Sequence, residues 1–296
     1  PDPAASWGRG PTGEYGHIFT GQISGDGWDL RDRAHTAFLS TDASAEKSYF
    51  ETLLADTIAA WEGARGVTDC TDYLIGTAKR AACDWGKTTG TLSLDPPGAD
   101  PGPPALHHWV YDFYSSYPQA TSFTNILDPP AVKSVISPWE QNFVIYALGR
   151  AKELGYPTGR LLSWSGENLI NQLTHPQYNP YLSGTYRMPT VNSLDNYFPT
   201  WTDIKTGFIS SIQSATSFTE TFGPDYLTST EGGYPFIAMA AASMIADQTV
   251  NTSGPGTGAQ AWSWIGDQLL SAPALNNNPK WAIVPRTTIP ADTTPP

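Results

Sequence analysis

Ser137-Pro-Trp-Glu-Gln-Asn-Phe-Val-Ile-Tyr-Ala-Leu-Gly-Arg-Ala-Lys-Glu-Leu-Gly155 carries complete start and stop signals for one helix. Ser137 can accept a hydrogen bond from a free backbone N–H, Pro138 takes the first helical position, and Glu140 completes a capping box. Gly155 ends the helix without a Cβ penalty and Pro157 blocks its continuation. Between the caps, Phe143, Val144, Ala147, Leu148, Ala151 and Leu154 form one apolar face, and Ile145 and Tyr146 fill much of the remaining circumference. A helix apolar nearly all round is buried among other helices. The stretch therefore predicts the central helix of an all-α layer.

Outward from it, a few residues lead to a second helix over 159–173, with Leu161, Leu162, Leu169, Ile170 and Leu173 facing inward. Such a short connection makes the two antiparallel neighbours. Upstream, a helix over 28–39 with Ala34, Ala37 and Phe38 as its core stripe is followed by one capped at Asp42 or Ser44. The latter runs to about Trp61-Glu62 on Tyr49, Phe50, Leu53, Leu54, Thr57, Ile58 and Trp61, with Gly63 as its stop. Residues 106–115 predict a short helix. Downstream, helices are expected from Thr200 through Ile204, Phe208, Ile209 and Ile212, over 236–247, and over 259–270 on Trp262, Ile265 and Leu269; an Asn251-Thr252-Ser253 sequon precedes the last. No run reads convincingly as a strand. Residues 1–13 read as a linker-like segment, 14–284 as one helical domain, and 285–296 as a Pro/Thr linker to further domains of a larger protein.

Composition narrows the function classes. Charged residues are 15% of the chain, against roughly 25% in an average soluble domain. Thr, Ser, Asn, Gly and Pro supply the surface instead, as in secreted or cell-surface bacterial proteins. The net charge of −12, from 16 Lys+Arg against 28 Asp+Glu, provides no basic footprint for nucleic acid. A local arginine cluster on an acidic protein stays open. No apolar run reaches the ~18 residues of a membrane span.

Cys70 and Cys83 are the two cysteines. In an oxidising setting a disulfide is the expected reading. It conflicts with a helix over 71–82, since thirteen helical steps cover about 20 Å whereas bridged Cα atoms lie about 4.4–6.8 Å apart. A bent segment between the two cysteines reconciles them.

Helical hairpins joined by long aromatic connections predict an α/α toroid, complete or incomplete, with an ordinary helical bundle as the alternative. In this pattern, over about residues 14–284, the chain resembles the α/α-toroid domains of secreted bacterial polysaccharide-degrading enzymes, of glycoside hydrolase or polysaccharide lyase type. The resemblance implies a polysaccharide partner.

Trp28, Arg31, Asp32 and His35 fall at i, i+3, i+4, i+7 on one side of their helix. His35 would move a proton, Asp32 orient it, and Arg31 neutralise developing negative charge; the bland alternative is a solvated helix face. In lyases on α/α toroids, Tyr and His commonly act as base and acid while Asn and Arg bind the uronate carboxylate. Asn179, Tyr181, Tyr186 and Arg187 are similar in type to that set, and a loop that uses Tyr as cover and Arg as anchor is the alternative. Glycoside hydrolysis needs two carboxylates across the bond, one kept protonated by low polarity. Glu14, Asp32, Glu62, Asp112, Glu140 and Glu231 are the candidates, with Glu14 and Glu231 set among glycines and aromatics where a ligand can approach. The 11 Trp and 14 Tyr exceed what the helices use, so Trp28, Trp109, Tyr181 and Tyr234, with Asn179, are expected to bind sugar rings. The five histidines show no chelating spacing, so neither a metal nor another cofactor is expected. Hydrolysis of a polysaccharide is the first reading, elimination on a uronic-acid polymer the second, and a non-catalytic glycan-binding or structural module the third.

Overall fold

The computed structural model describes residues 23–66, 135–185, 188–189, 191–193, 196–197, 200–208, 210–223, 234–252, 254–277, 279 and 282–286. The fold is all-α. Helices α1 (Ile23–Leu39), α2 (Ala45–Gly66), α3 (Pro138–Glu153), α4 (Gly159–Thr174), α5 (Trp201–Gly207), α6 (Ser210–Gln213), α7 (Phe218–Phe222), α8 (Tyr234–Met244), α9 (Gly258–Leu269) and α10 (Pro273–Asn277) alternate with short extended pieces. Among these, β1 (Val135–Ile136) pairs antiparallel with β2 (Met188–Pro189), and β3 (Val191–Ser193) with β4 (Asn196–Tyr197). Ladders this short fasten connections; they are not a sheet. Among the described residues no helix is long and apolar enough to cross a membrane.

Helix α3 forms as its sequence predicts. Ser137 Oγ accepts from Glu140 N, Pro138 opens the helix, and Gly155 leaves it at φ +94°. The box itself is half made: the Glu140 carboxylate is fully buried and accepts from Ser24 Oγ of α1 at 3.4 Å. Beyond the turn, Thr158 Oγ1 donates to Leu148 O at 2.7 Å and Gln141 Nε2 to Ser165 Oγ at 2.7 Å. Those contacts make α3 and α4 antiparallel.

The three long hairpins share one plan. Helix α1 turns into α2 through Ala43, at φ +62°, and Lys47 N donates to the Ser44 cap. Helix α8 turns into α9, whose start is a full capping box of Thr257 and Gln260. The first helices of the hairpins lie side by side and run parallel. Ser24 meets Glu140 and Gly27 abuts Phe143 and Val144; on the other side Trp139 meets Tyr234 and Gly149 abuts Met244. One core joins them, with Leu30, Leu54, Ile145, Leu148, Leu161, Leu169, Phe236 and Ile265.

Several expectations need correction. Helix α1 begins at Ile23, five residues before the expected start, because packing on α3 overrides the low helix propensity of Ser24, Asp26 and Gly27. Helix α2 runs past Gly63 to Gly66. The expected helix through Phe208 breaks: the chain is extended at Phe208, whose ring is buried, and Gln213 Nε2 caps the broken end by donating to Thr206 O and Phe208 O. Helix α4 buries Glu167, Asn168, Asn171 and Gln172 as well as its leucines. The connection after α8 lies against it: Thr252 N and Oγ1 donate to Glu167 Oε2 at 2.9 and 2.8 Å, and Asn251 Nδ2 to Asn171 Oδ1 at 2.8 Å. The sequon asparagine is thus part of a helix-to-loop joint.

Candidate functional site

Because α1, α3 and α8 are parallel, their N-terminal turns gather at one end. Rings from those turns and from neighbouring segments meet there in a continuous chain. Trp28 of α1 touches Phe143 edge-on (centroids 5.5 Å apart), Phe143 touches Trp139 (5.2 Å), and Trp139 touches Tyr234 at the start of α8 (4.9 Å). Tyr234 continues to Phe222 of α7 (6.0 Å), Phe222 to Phe218 (6.1 Å), and Phe218 to Tyr181 (5.3 Å) and Trp264 (5.9 Å). Phe143 and Phe218 are buried, Trp139, Tyr181, Phe222, Tyr234 and Trp264 are half-buried, and Trp28 is 46% exposed. Edge-to-face contacts of this kind are each worth ~0.5–1.5 kcal/mol beyond burial. Rings fixed in this way have little conformational freedom left to lose when a ligand docks.

Three of the rings expected to bind sugar, Trp28, Tyr181 and Tyr234, therefore belong to one ribbon. Tyr181 Oη donates to Gln268 Oε1 at 3.0 Å, which sets a polar group beside the ring. Asn179 works as a local brace. Its amide donates to Gln213 O (3.1 Å) and Ala215 O (2.9 Å) and its Oδ1 accepts from Tyr181 N (3.1 Å), capping the 3-10 turn Pro180–Leu182 that presents Tyr181. Trp139, Phe143, Phe218, Phe222 and Trp264 join the ribbon without having been singled out in the sequence. The i, i+4 pair Trp139/Phe143 was a readable signal; the contacts among α7, α8 and α9 have none.

His35 lies seven residues further along α1 than Trp28, about 10 Å by helical rise, toward the C-terminal end of α3. Burial lowers its pKa, the Arg150 and Arg31 guanidiniums lower it further, and Asp32 opposes them. Asp32 is turned to its neighbour, accepting from Arg31 Nε at 3.0 Å and Nη2 at 2.8 Å. On α3, Arg150 pairs with Glu153, which also takes Arg286 Nε at 3.0 Å. The structure thus brings a neutral imidazole and three arginines to one flank of α1 and α3. Arg150, Glu153 and Arg286 were not foreseen there; the i, i+3 spacing of the first two was legible. Glu14, Trp109, Tyr186, Arg187, Glu231, Cys70, Cys83 and the helix expected over 106–115 lie outside the described residues. Among the described residues no group of three or more His, Cys, Asp or Glu side chains is placed to hold a metal ion. A separate cleft of about 250 Å³, lined by Lys152, Ser163, Asp247, Gln248 and Val250, lies at the short-loop end, with Lys152 paired to Asp247 at 3.7 Å.

Burial also lowers the pKa of His175, whose ring lies 5.7 Å from that of Trp201. Both folded-state pKa values lie below the ordinary 6.5, so as pH falls the unfolded chain takes up protons first. The contribution is complete above about pH 6.5 and is lost as pH falls through the folded values. Melting curves from about pH 7.5 to 5 are expected to show a falling Tm, with a shallower slope in the His35→Gln/His175→Gln variant. An unchanged slope in that variant would assign the acid sensitivity to other groups.

No protein-family model matches the chain, and comparison with the curated proteins and with the solved structures found no match.

Proposed function

We propose that this chain is a carbohydrate-active domain of α/α-toroid type, secreted or held at a cell surface, that binds a polysaccharide along the aromatic ribbon and hydrolyses its glycosidic bonds. The observation that carries the reading is the ribbon itself. It is a run of contiguous rings, several part-exposed, at the end where the parallel helices begin. Sugar rings present C–H faces that pack on such aromatics, while the Tyr hydroxyls and Trp N–H groups still reach polar partners. Parallel first helices backed by antiparallel second helices support an arc of a two-layered helical ring. In hydrolysis one carboxyl group protonates the leaving oxygen and a second activates water or attacks the sugar; Glu14 and Glu231, both outside the described residues, are two of the candidate carboxylates.

A second reading, elimination on a uronic-acid polymer, is favoured by the neutral His35 beside Arg31 and Arg150. There an imidazole accepts the proton next to the carboxylate whose charge the guanidiniums offset.

Incubation with a panel of neutral and uronic-acid polysaccharides, read for new reducing ends and for unsaturated-product absorbance, separates the readings. Reducing ends alone are expected. Both signals together would indicate the lyase, and retention on a polysaccharide without either would leave a non-catalytic binding module. Trp28→Ala is expected to weaken retention on the bound polysaccharide by about tenfold, or ~1.4 kcal/mol, measured below the variant's own Tm, since losing the edge contact with Phe143 also costs ~0.5–1.5 kcal/mol of stability. Unaltered retention would remove Trp28 from the binding surface.

A further inference from the structure

Residues Ala282–Arg286 carry no regular secondary structure and touch α3 at two places. Ile283 packs against Phe143, Ile237 and Ala240, a small cluster apart from the main core that Trp139 and Tyr146 also touch. Three residues on, Arg286 Nε reaches Glu153 Oε1 at 3.0 Å. Phe143 and Glu153 are ten residues apart on α3, about 15 Å. Three extended residues cover about 10 Å, and the arginine side chain spans the rest. The segment thus runs lengthwise from the aromatic ribbon to the Arg150–Glu153 pair beside His35.

It is held by little. Ala282, Val284 and Arg286 are exposed, and the last is 59% so. Ala282 N donates locally to Pro279 O at 2.9 Å, and among the described residues no backbone group of Ile283–Arg286 is hydrogen-bonded to a helix. Part-buried Ile283 and Pro285 and one exposed ion pair favour the docked state by no more than about a hundredfold. What they cover is valuable surface, since Phe143 is the link between Trp28 and Trp139 in the ribbon.

We propose that residues 282–286 are a displaceable strap that occludes the face of α3 between the aromatic ribbon and the His35 flank, and that a polysaccharide chain reaches along this face only when the strap lifts. The gating role rests on the polysaccharide reading above; the covering role does not.

The test uses the full chain with Ile283→Ser/Arg286→Ala. Hydroxyl-radical footprinting read by mass spectrometry is expected to show Phe143 and Tyr146 oxidised severalfold faster than in the parent, with Trp164 and Phe236 unchanged. Equal rates at Phe143 and Tyr146 would overturn the strap. In the parent chain, the amides of Ile283, Val284 and Arg286 are expected to exchange hydrogen within about a hundredfold of unstructured rates. Protection equal to that of the α3 amides would overturn it even if the variant failed to fold. Retention on any polysaccharide that the parent binds is expected to tighten about tenfold in the variant. Faster oxidation without tighter retention would overturn the gating and leave the polysaccharide reading intact. If the parent binds no polysaccharide in the panel, that reading and the gating fall together, and the footprint alone decides the covering role.

Discussion

Gly27→Ala is expected to cost the protein on the order of 3 kcal/mol of stability, at the upper end of what overpacking costs. A Cβ at position 27 would stand 2.8 Å from the Phe143 carbonyl carbon, 3.0 Å from its oxygen and 3.0 Å from Val144 N. Those atoms are helix backbone, and no rotamer change moves them away. Helices α1 and α3 would have to separate at an interface whose buried residues include Leu30, Ala34, Val144 and Ala147. Alanine's better helix propensity offsets less than ~1 kcal/mol of the loss. Urea unfolding is the measurement, and a midpoint equal to the parent's would mean that the two helices are not in close contact. Gly149→Ala is the internal comparison. There the added Cβ meets Met244 Cβ and Cγ at 2.5 Å and Sδ at 2.7 Å; rotation can move Cγ and Sδ, but Cβ is fixed by the backbone, so α3 and α8 must also give. Its expected loss is of the same order.

Phe236→Ala is expected to cost about 3–5 kcal/mol, the range for emptying a fully buried phenylalanine site. Phe236 is fully buried in α8 within the joint core, where Ile145, Leu148 and Met239 also lie. A typical domain has ~5–15 kcal/mol in total, so this substitution alone is expected to lower the midpoint of unfolding substantially. The two neighbouring residues on α8 allow a functional contrast. Tyr234 belongs to the ribbon and is half-buried, whereas Phe236 faces the core. Below its own Tm, the Phe236→Ala protein is expected to keep any polysaccharide retention that the parent shows, because it loses packing and no ribbon ring. Retention lost while far-ultraviolet circular dichroism remains native would show that the core position feeds directly into the binding surface.

Local chemistry settled much of the helical frame. Ser137, Pro138 and Gly155 bound α3 because caps act through hydrogen bonds and φ values that neighbouring residues supply. The apolar positions of α4 were legible for a similar reason, since a 3.6-residue period needs no knowledge of the partner, and α8 was legible as a run apolar all round. Where that logic breaks, a distant group has intervened. The first turn of α1 forms on the backbone of α3, across more than a hundred residues of chain. The Phe208 break follows from burying its ring, which continued helix geometry would not allow at that place.

The same boundary runs through the candidate site. Residue types came from sequence: Trp28, Tyr181 and Tyr234 as rings expected to bind sugar, and His35 with Arg31 and Asp32 as a polar group on one helix side. That Trp139 and Phe143 pair was readable from i, i+4 spacing, as was the pairing of Arg150 with Glu153 from i, i+3. Three things were decided by tertiary structure alone. Tyr234 meets Trp139 because α3 and α8 run parallel, and parallel neighbours bring together residues 95 positions apart. Asn179 is drawn into bracing Tyr181 because the backbone carbonyls of Gln213 and Ala215 come within reach. Ile283 and Arg286 lie on α3 because a small apolar cluster and Glu153 await them there. Sequence periodicity reports which face of an element is apolar. Only the packed fold decides what that face meets, because hydrophobic burial is non-directional and the partner is chosen by shape and register.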